Sequence, residues 1–246
     1  MIEVRNLTKI YDSKKVLNDI TVDIKNGEIF TIMGPSGTGK STFIKSVIKL
    51  IEPEAGSVIV DNRDILKART EFEIQNIRKS FGYLFQEGAL FDSLNVWENV
   101  TFGLKYLTDI PDEKYLEIAR EKLKLVGLED IECKKVNELS GGMKKRVALA
   151  RAIAHNPKYI LYDEPTTGLD PISSDIIINL IKEMAEKLGI TSIVVTHDVK
   201  LALTISTRIG MLFNGRFIDI NTPDAIKESS VKEVREFIET SFIESK

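Results

Sequence analysis

Gly34-Pro35-Ser36-Gly37-Thr38-Gly39-Lys40-Ser41-Thr42 fits G-x-x-x-x-G-K-[ST], the phosphate-binding loop of nucleoside triphosphatases. Its flanks agree with that reading. Glu28 to Met33 reads as a short buried strand, and Lys40 to Leu50 as a helix with Phe43, Ile44, Val47 and Ile48 on its apolar side. Glycines let the backbone wrap around a polyphosphate with successive N–H groups turned inward, and the helix N-terminus adds partial positive charge. Lys40 is then placed to reach the β- and γ-phosphates, and the Ser41 hydroxyl to ligate Mg²⁺.

Working outward, the chain on the N-terminal side predicts strands over Ile2 to Tyr11 and Val16 to Ile24, with Asn26-Gly27 as a turn. Tyr11 and Val16 flank the first connection, where an aromatic ring serves equally for stacking on a base or for hydrophobic packing. On the C-terminal side, Ser57 to Val60 reads as a strand, and a further strand within Ile77 to Phe85 ends at Gln86. Residues 87–100 interleave large apolar side chains with turn formers. That pattern fits the core of a small helical lobe or a docking groove for another protein.

Apolar residues recur at helical spacing from Glu113 to Val126 and stop at Gly127. Leu139-Ser140-Gly141-Gly142-Met143 then opens a second helical run, a second anion-binding helix start with no strand before it. Tyr159 to Glu164 is an apolar strand ending in two carboxylates, delivered to the phosphate end of the sheet. There Asp163 would hold Mg²⁺ through its water shell, and Glu164 would polarise an attacking water. Gly168-Leu169-Asp170-Pro171 turns into a helix to Leu188, and the strand Ile190 to Thr196 ends at His197, placed to hydrogen-bond a γ-phosphate. His155 has no such placement and reads as structural. Arg208 to Ile220 reads as a hairpin around Asn214-Gly215, and the charged tail from Pro223 as one or two amphipathic helices, with Val231, Val234, Phe237, Ile238 and Phe242 on one side.

Composition narrows the function classes. The 246 residues carry 34 Lys and Arg against 37 Asp and Glu, a net charge of −3 that offers no electrostatic footprint for nucleic acid. Cys133 is the single cysteine, so neither an internal disulfide nor a cysteine metal cluster is expected, and a reducing cytoplasm is the simplest compartment. No apolar run approaches the ~18 residues of a membrane span, and the start of the chain lacks a signal-peptide pattern, so a membrane role is expected to come through a partner.

In order and spacing these residues resemble the ATP-binding cassette ATPases of ABC transporters, over residues 1 to about 222. The most specific mark is the signature Leu139-Ser140-Gly141-Gly142. The resemblance implies an α/β fold: a phosphate-loop NTPase core with a mainly parallel sheet, an N-terminal antiparallel β subdomain and an inserted α-helical subdomain over about 87–156. Residues 223–246 would follow as a helical tail, a candidate dimer-stabilising arm.

It also implies the site. ATP would be held by Tyr11 as the adenine-stacking aromatic, Val16, the loop Gly34 to Thr42, Gln86 of the Q-loop, Asp163, Glu164 and His197. Mg²⁺ would lie at Ser41, Gln86 and Asp163. Glu164, His197, Gln86 and Lys40 would act in hydrolysis, Glu164 as the base. Family members work as head-to-tail dimers, so Ser140, Gly141, Gly142 and Asp170 would complete the ATP site of a partner copy.

Met143, where glutamine is commoner, and the run Leu84 to Phe91 look like the branch associated with MCE proteins, the Mla-like phospholipid transport ATPases. The expected function is therefore the ATPase subunit of a transporter at the cytoplasmic face of the inner membrane. Its partners would be permease subunits and an MCE-domain protein, and its cargo phospholipid. A solute importer or exporter ATPase uses the same site. A soluble ABC protein of DNA repair or translation is disfavoured by the single cassette, the lack of a long heptad insertion and the acidic charge, and a small-molecule kinase by the Ser140-Gly141-Gly142 helix start.

Overall fold

Two sheets share the architecture of the computed structural model, which describes residues 1–244, with side chains described to residue 241. The smaller sheet is antiparallel, in the order β2-β1-β4-β5, from β1 (Ile2–Tyr11), β2 (Lys14–Ile24), β4 (Ala55–Val60) and β5 (Arg63–Asp64). The larger has the order β10-β9-β3-β8-β7-β6, from β3 (Ile29–Met33), β6 (Phe81–Leu84), β7 (Tyr159–Asp163), β8 (Thr191–Thr196), β9 (Arg208–Phe213) and β10 (Arg216–Asn221). Its pairings are parallel except at the β9–β10 hairpin. Strands β3, β7 and β8 are buried at every position, as expected of parallel strands covered on both faces.

The small sheet owes its shape to a break in alternation. Ile2 and Val4 point inward, but the next buried residue of β1 is Leu7; on β2 the inward set is Leu17, then Ile20, Val22 and Ile24. A strict period of two would turn half of these to solvent. Register shifts resolve the conflict, with Asn6 (φ 51°) and Asp19 (φ 63°) in the left-handed region and the Asn6 amide donating to Asp19 Oδ1 at 2.7 Å.

Helix α1 (Lys40–Val47) and the small sheet cover one face of the large sheet, meeting Phe30, Ile32, Leu161, Ile193 and Val195. The opposite face meets α6 (Gly141–Ile153), α7 (Pro171–Leu188) and α8 (Val199–Ile205). The same apolar cluster runs on without interruption into the helical lobe of α3 (Val96–Thr101), α4 (Leu104–Leu107), α5 (Tyr115–Leu125) and α6, through Val96, Val100, Leu104, Ala119 and Leu123. The lobe is thus anchored on the core by α6.

The 87–100 stretch contributes to the core of the helical lobe, and it carries and is followed by exposed aromatic rings. Val96 and Val100 are fully buried, whereas Phe91 and Phe102 are 42% and 41% exposed and stack at 4.4 Å, with Tyr106 continuing the aromatic row. Helix α2 (Glu71–Arg78), between β5 and β6, has no counterpart in the sequence reading; it starts on a capping box in which Thr70 and Glu73 satisfy each other's backbone N–H. The tail forms α9 (Pro223–Lys227) and α10 (Lys232–Glu244). Val234 and Ile238 of α10 pack on Val199, Ala202, Ile209 and Met211 of the same chain, and Phe237 meets Phe213 edge-on at 6.1 Å. Phe242, expected on the same stripe, has a side chain outside the described residues.

Candidate functional site

Parallel strands place their carboxyl ends at one edge, so the loops after β3, β7 and β8 converge there. Between them lies a cleft of about 300 Å³ lined by Val16, Ser36, Gly37, Gly39, Lys40, Ser41, Thr42, Gln86, Glu164 and His197. The loop after β3 keeps its shape because glycine is required in it. A Cβ on Gly39 (φ 103°) would lie 2.7 Å from the Val16 carbonyl oxygen, and one on Gly34 would lie 2.3 Å from that of Leu212. Lys40 opens α1 and folds back over the loop, donating to the carbonyls of Gly34 (2.8 Å) and Pro35 (2.9 Å). Burial holds its ammonium below the usual lysine range, partly offset by Glu164 and Asp163. A buried cation inside a ring of backbone fits a polyphosphate.

Asp163 is the last residue of β7 and shares the α1 side of the sheet with Leu161. Its Oδ1 accepts from the Ser41 hydroxyl at 2.7 Å. A hydroxyl and a carboxylate so paired beside a phosphate cradle fit a hard divalent cation, whose remaining ligands would come from phosphate and water. Glu164 then turns the chain with φ 48°, a left-handed conformation costly for a branched-chain-free acid as for any L-residue, of order 1–3 kcal/mol. Its N–H donates to Val195 O at 2.9 Å, which fixes the turn. The Glu164 carboxylate lies 2.9 Å from His197 Nδ1 on one oxygen and 3.8 Å from Lys40 Nζ on the other. His197 is held in turn by its neighbour Asp198, which accepts from Thr166 Oγ1 (3.0 Å) and caps α8.

Tyr11, Thr38 and the signature residues stand apart from the lining of this cleft. Tyr11, at the end of β1, is 42% exposed beneath the Lys9 ammonium, 5.0 Å from the ring centre, and does not line it. Thr38 turns its hydroxyl onto Pro35 O at 2.9 Å, inside the loop. The signature lies elsewhere as well: Ser140 caps α6 by accepting from Met143 N (3.3 Å), and Ser140 and Gly141 are exposed. Gly142 meets α7, where a Cβ would come 2.7 Å from Ser173 Oγ; that hydroxyl donates to Asp170 Oδ2 at 2.6 Å. The signature and Asp170 are thus tied to each other, at the start of two adjacent helices. His155 is structural as expected, its Nε2 3.1 Å from Phe81 O.

Two features were absent from the sequence reading, a pair of cations on α6 and the tyrosine of β6. Lys145, 5% exposed on α6, donates to the Gln86 carbonyl, and Arg151 of the same helix donates to Gly88 O and Ala89 O. Two cations from the signature helix thereby grip the turn after β6, in which Gly88 and Ala89 both have positive φ. Tyr83 of β6 reaches Asp163. The only signal for the first was a run of basic residues after the paired glycines.

Comparison with known proteins agrees with this geometry. The family profile described as "ABC transporter" matches residues 17–167. A "Probable ribonucleotide transport ATP-binding protein mkl" of Mycobacterium leprae is 42% identical over 237 residues, covering 96% of this chain and 68% of that protein. The "Intermembrane phospholipid transport system ATP-binding protein MlaF" of Haemophilus influenzae is 39% identical over 238 residues, covering 97% of this chain and 90% of that protein. Among solved structures, a dimeric ATP-binding cassette in a post-hydrolysis state with ADP and Pi bound superposes with a TM-score of 0.84 at 35% identity, covering 91% of this chain and 99% of that one.

Proposed function

The chain belongs to the ABC transporter family as an ATP-binding, ATP-hydrolysing subunit, and on that premise we propose that two copies close around ATP to drive a membrane permease that moves phospholipid. The observation that carries the hydrolytic reading is the convergence of Lys40, Ser41, Glu164 and His197 on one cleft, with Asp163 hydrogen-bonded to Ser41 behind it. Lys40 leaves the Gly34 and Pro35 carbonyls for the phosphate oxygens, a stronger charge-assisted partner. Ser41 and Asp163 hold Mg²⁺, which supplies charge neutralisation when bound. Glu164, oriented by His197, accepts the proton of the attacking water, and His197 faces the γ-phosphate.

Completion of the site is assigned to a second copy. Ser140, Gly141 and Gly142 open α6 and Asp170 caps α7, and none of them lines its own chain's cleft, which fits a head-to-tail two-fold dimer. Closure is passed through Gln86 and the 87–100 stretch to a cytoplasmic helix of the permease, for which Phe91, Phe102 and Tyr106 offer an exposed aromatic row. The chain itself works at the cytoplasmic face; no helix among its described residues is long and apolar enough to cross a membrane.

For the cargo, the likeness to MlaF extends over 90% of that protein, and the marks at Met143 and Leu84 to Phe91 point to the same branch. An MCE-domain protein is the accompanying partner. The mycobacterial relative's name supports a second reading, a solute transporter. Glu164→Gln should lower turnover by about 10²–10⁴-fold with ATP binding intact, and unchanged turnover would remove Glu164 from the role of base. Isolation of the chain from native membranes in mild detergent, with mass spectrometry, decides the cargo: permease with MCE protein and phospholipid supports the lipid reading, and permease with a solute-binding protein overturns it.

A further inference from the structure

Parallel pairing sets Tyr83 of β6 opposite Leu161 of β7, and Leu84 opposite Tyr162. Side chains alternate along both strands, so Tyr83 shares a face with Leu161 and with Asp163, one diagonal step further on. The Tyr83 hydroxyl donates to Asp163 Oδ2 at 3.1 Å, while the Ser41 hydroxyl donates to Oδ1 at 2.7 Å. Each carboxylate oxygen is therefore fixed by a hydroxyl from a different element, α1 on one side and β6 on the other. The Tyr83 ring lies 4.2 Å from that of Phe85 and tilted by 30°, which limits its swing. Tyr83 does not line the cleft.

We propose that Tyr83 is a positioning residue for the bound divalent cation: its phenol locks the carboxylate of Asp163 so that Oδ1 stays aimed at Ser41. The inference rests on the reading that Asp163 and Ser41 hold Mg²⁺. Asp163 is 4% exposed, so an oxygen that loses its donor has little water to turn to. The phenol O–H is the donor of this pair, since an ionised carboxylate can only accept. Partners one shell out from a metal orient its ligands and tune its affinity. Because β6 runs directly into Gln86, the same hydrogen bond ties the cation-holding carboxylate to the strand that carries the Q-loop.

Tyr83→Phe keeps the ring and its contact with Phe85 and removes only the O–H. The full chain, with a non-hydrolysable ATP analogue bound, is titrated with Mn²⁺ and free Mn²⁺ is read by electron paramagnetic resonance; analogue affinity is measured separately in EDTA. The expected result is a Mn²⁺ affinity weakened about 10-fold, an unchanged affinity for the analogue in EDTA, and no further loss when Tyr83→Phe is added to Asp163→Asn. Mn²⁺ affinity within twofold of the parent, with Asp163→Asn weakened, overturns the role of Tyr83 and leaves the site reading standing. Unchanged Mn²⁺ affinity in Asp163→Asn overturns the site reading and the inference with it. Equal loss of analogue affinity in EDTA by Tyr83→Phe makes the hydroxyl a support of the loop as a whole and also overturns it.

Discussion

Lys40 illustrates how one side chain serves two states. Its ammonium is satisfied by the Gly34 and Pro35 carbonyls and sits 3.8 Å from Glu164. Burial already weakens its hold on the proton, so an incoming polyphosphate meets a cation that has shed much of its water. Lys40→Ala should therefore weaken ATP binding by about 10–100-fold, the scale of one or two charge-assisted hydrogen bonds. A fluorescent-nucleotide titration checks this, and parental affinity in the variant would assign phosphate recognition to the loop backbone alone. Lys40, Ser41, Asp163, Glu164 and His197 were all legible in the sequence because each sits at a strand end or helix start, where local pattern fixes position. Tyr83 was not. Its partner lies 80 residues away, and only the β6–β7 register brings them together.

Helix α6 links several parts of the molecule. It starts at the signature, carries apolar contacts of the lobe and the core, and grips the Gln86 turn with Lys145 and Arg151. On the proposed mechanism, a movement of Gln86 would thus be mechanically joined to the Ser140 end of the helix. Lys145→Met keeps a long apolar stem but removes the donor, and should speed hydrogen exchange at the Gly88 amide, now closed on Phe85 O at 2.9 Å, by about 10-fold or more. Exchange in α7 should stay unchanged; mass-spectrometric exchange of the two peptides separates them, and equal uptake by parent and variant would dismiss the clamp. At this scale the sequence told helices from strands wherever period and caps agreed, as for α7, expected to follow the 168–171 turn and to end at Leu188, where it does. It did not reveal α2. There only Ile77 is buried, so apolar period gave no signal, and the Thr70–Glu73 capping box was the one local mark. The bulges at Asn6 and Asp19 were likewise hidden, since they depend on which neighbours the two strands must face together.

For the molecule as a whole, the placement of the signature away from its own cleft leads to a quantitative expectation. In the two-fold dimer proposed above each site would take its phosphate loop from one chain and its signature from the other. A chain with Lys40→Ala has a broken loop and an intact signature; a chain with Ser140→Arg has the reverse, because the arginine would fill the space at the start of α6 where phosphate must approach. Homodimers of either variant contain two broken sites and should be inactive. In a heterodimer the two lesions fall together on one site and leave the other whole. Random mixing makes half of the dimers heterodimers with one working site in two, so ATPase activity of an equimolar mixture should recover to about one quarter of the parent value. Cooperation between sites would pull the figure below a quarter, in proportion to how far one site depends on its twin. An equimolar mixture as inactive as the separate variants, with heterodimers verified by differential tagging, would mean either that both sites must fire together or that Ser140 completes its own chain's site. Adding a third chain, carrying both substitutions, to the parent protein distinguishes these. Its heterodimers with the parent have each lesion on a different site if the signature acts in trans, and both on one site if it acts in cis, so loss of activity on dilution with the double variant supports the trans arrangement that the exposed Ser140 and Gly141 point to.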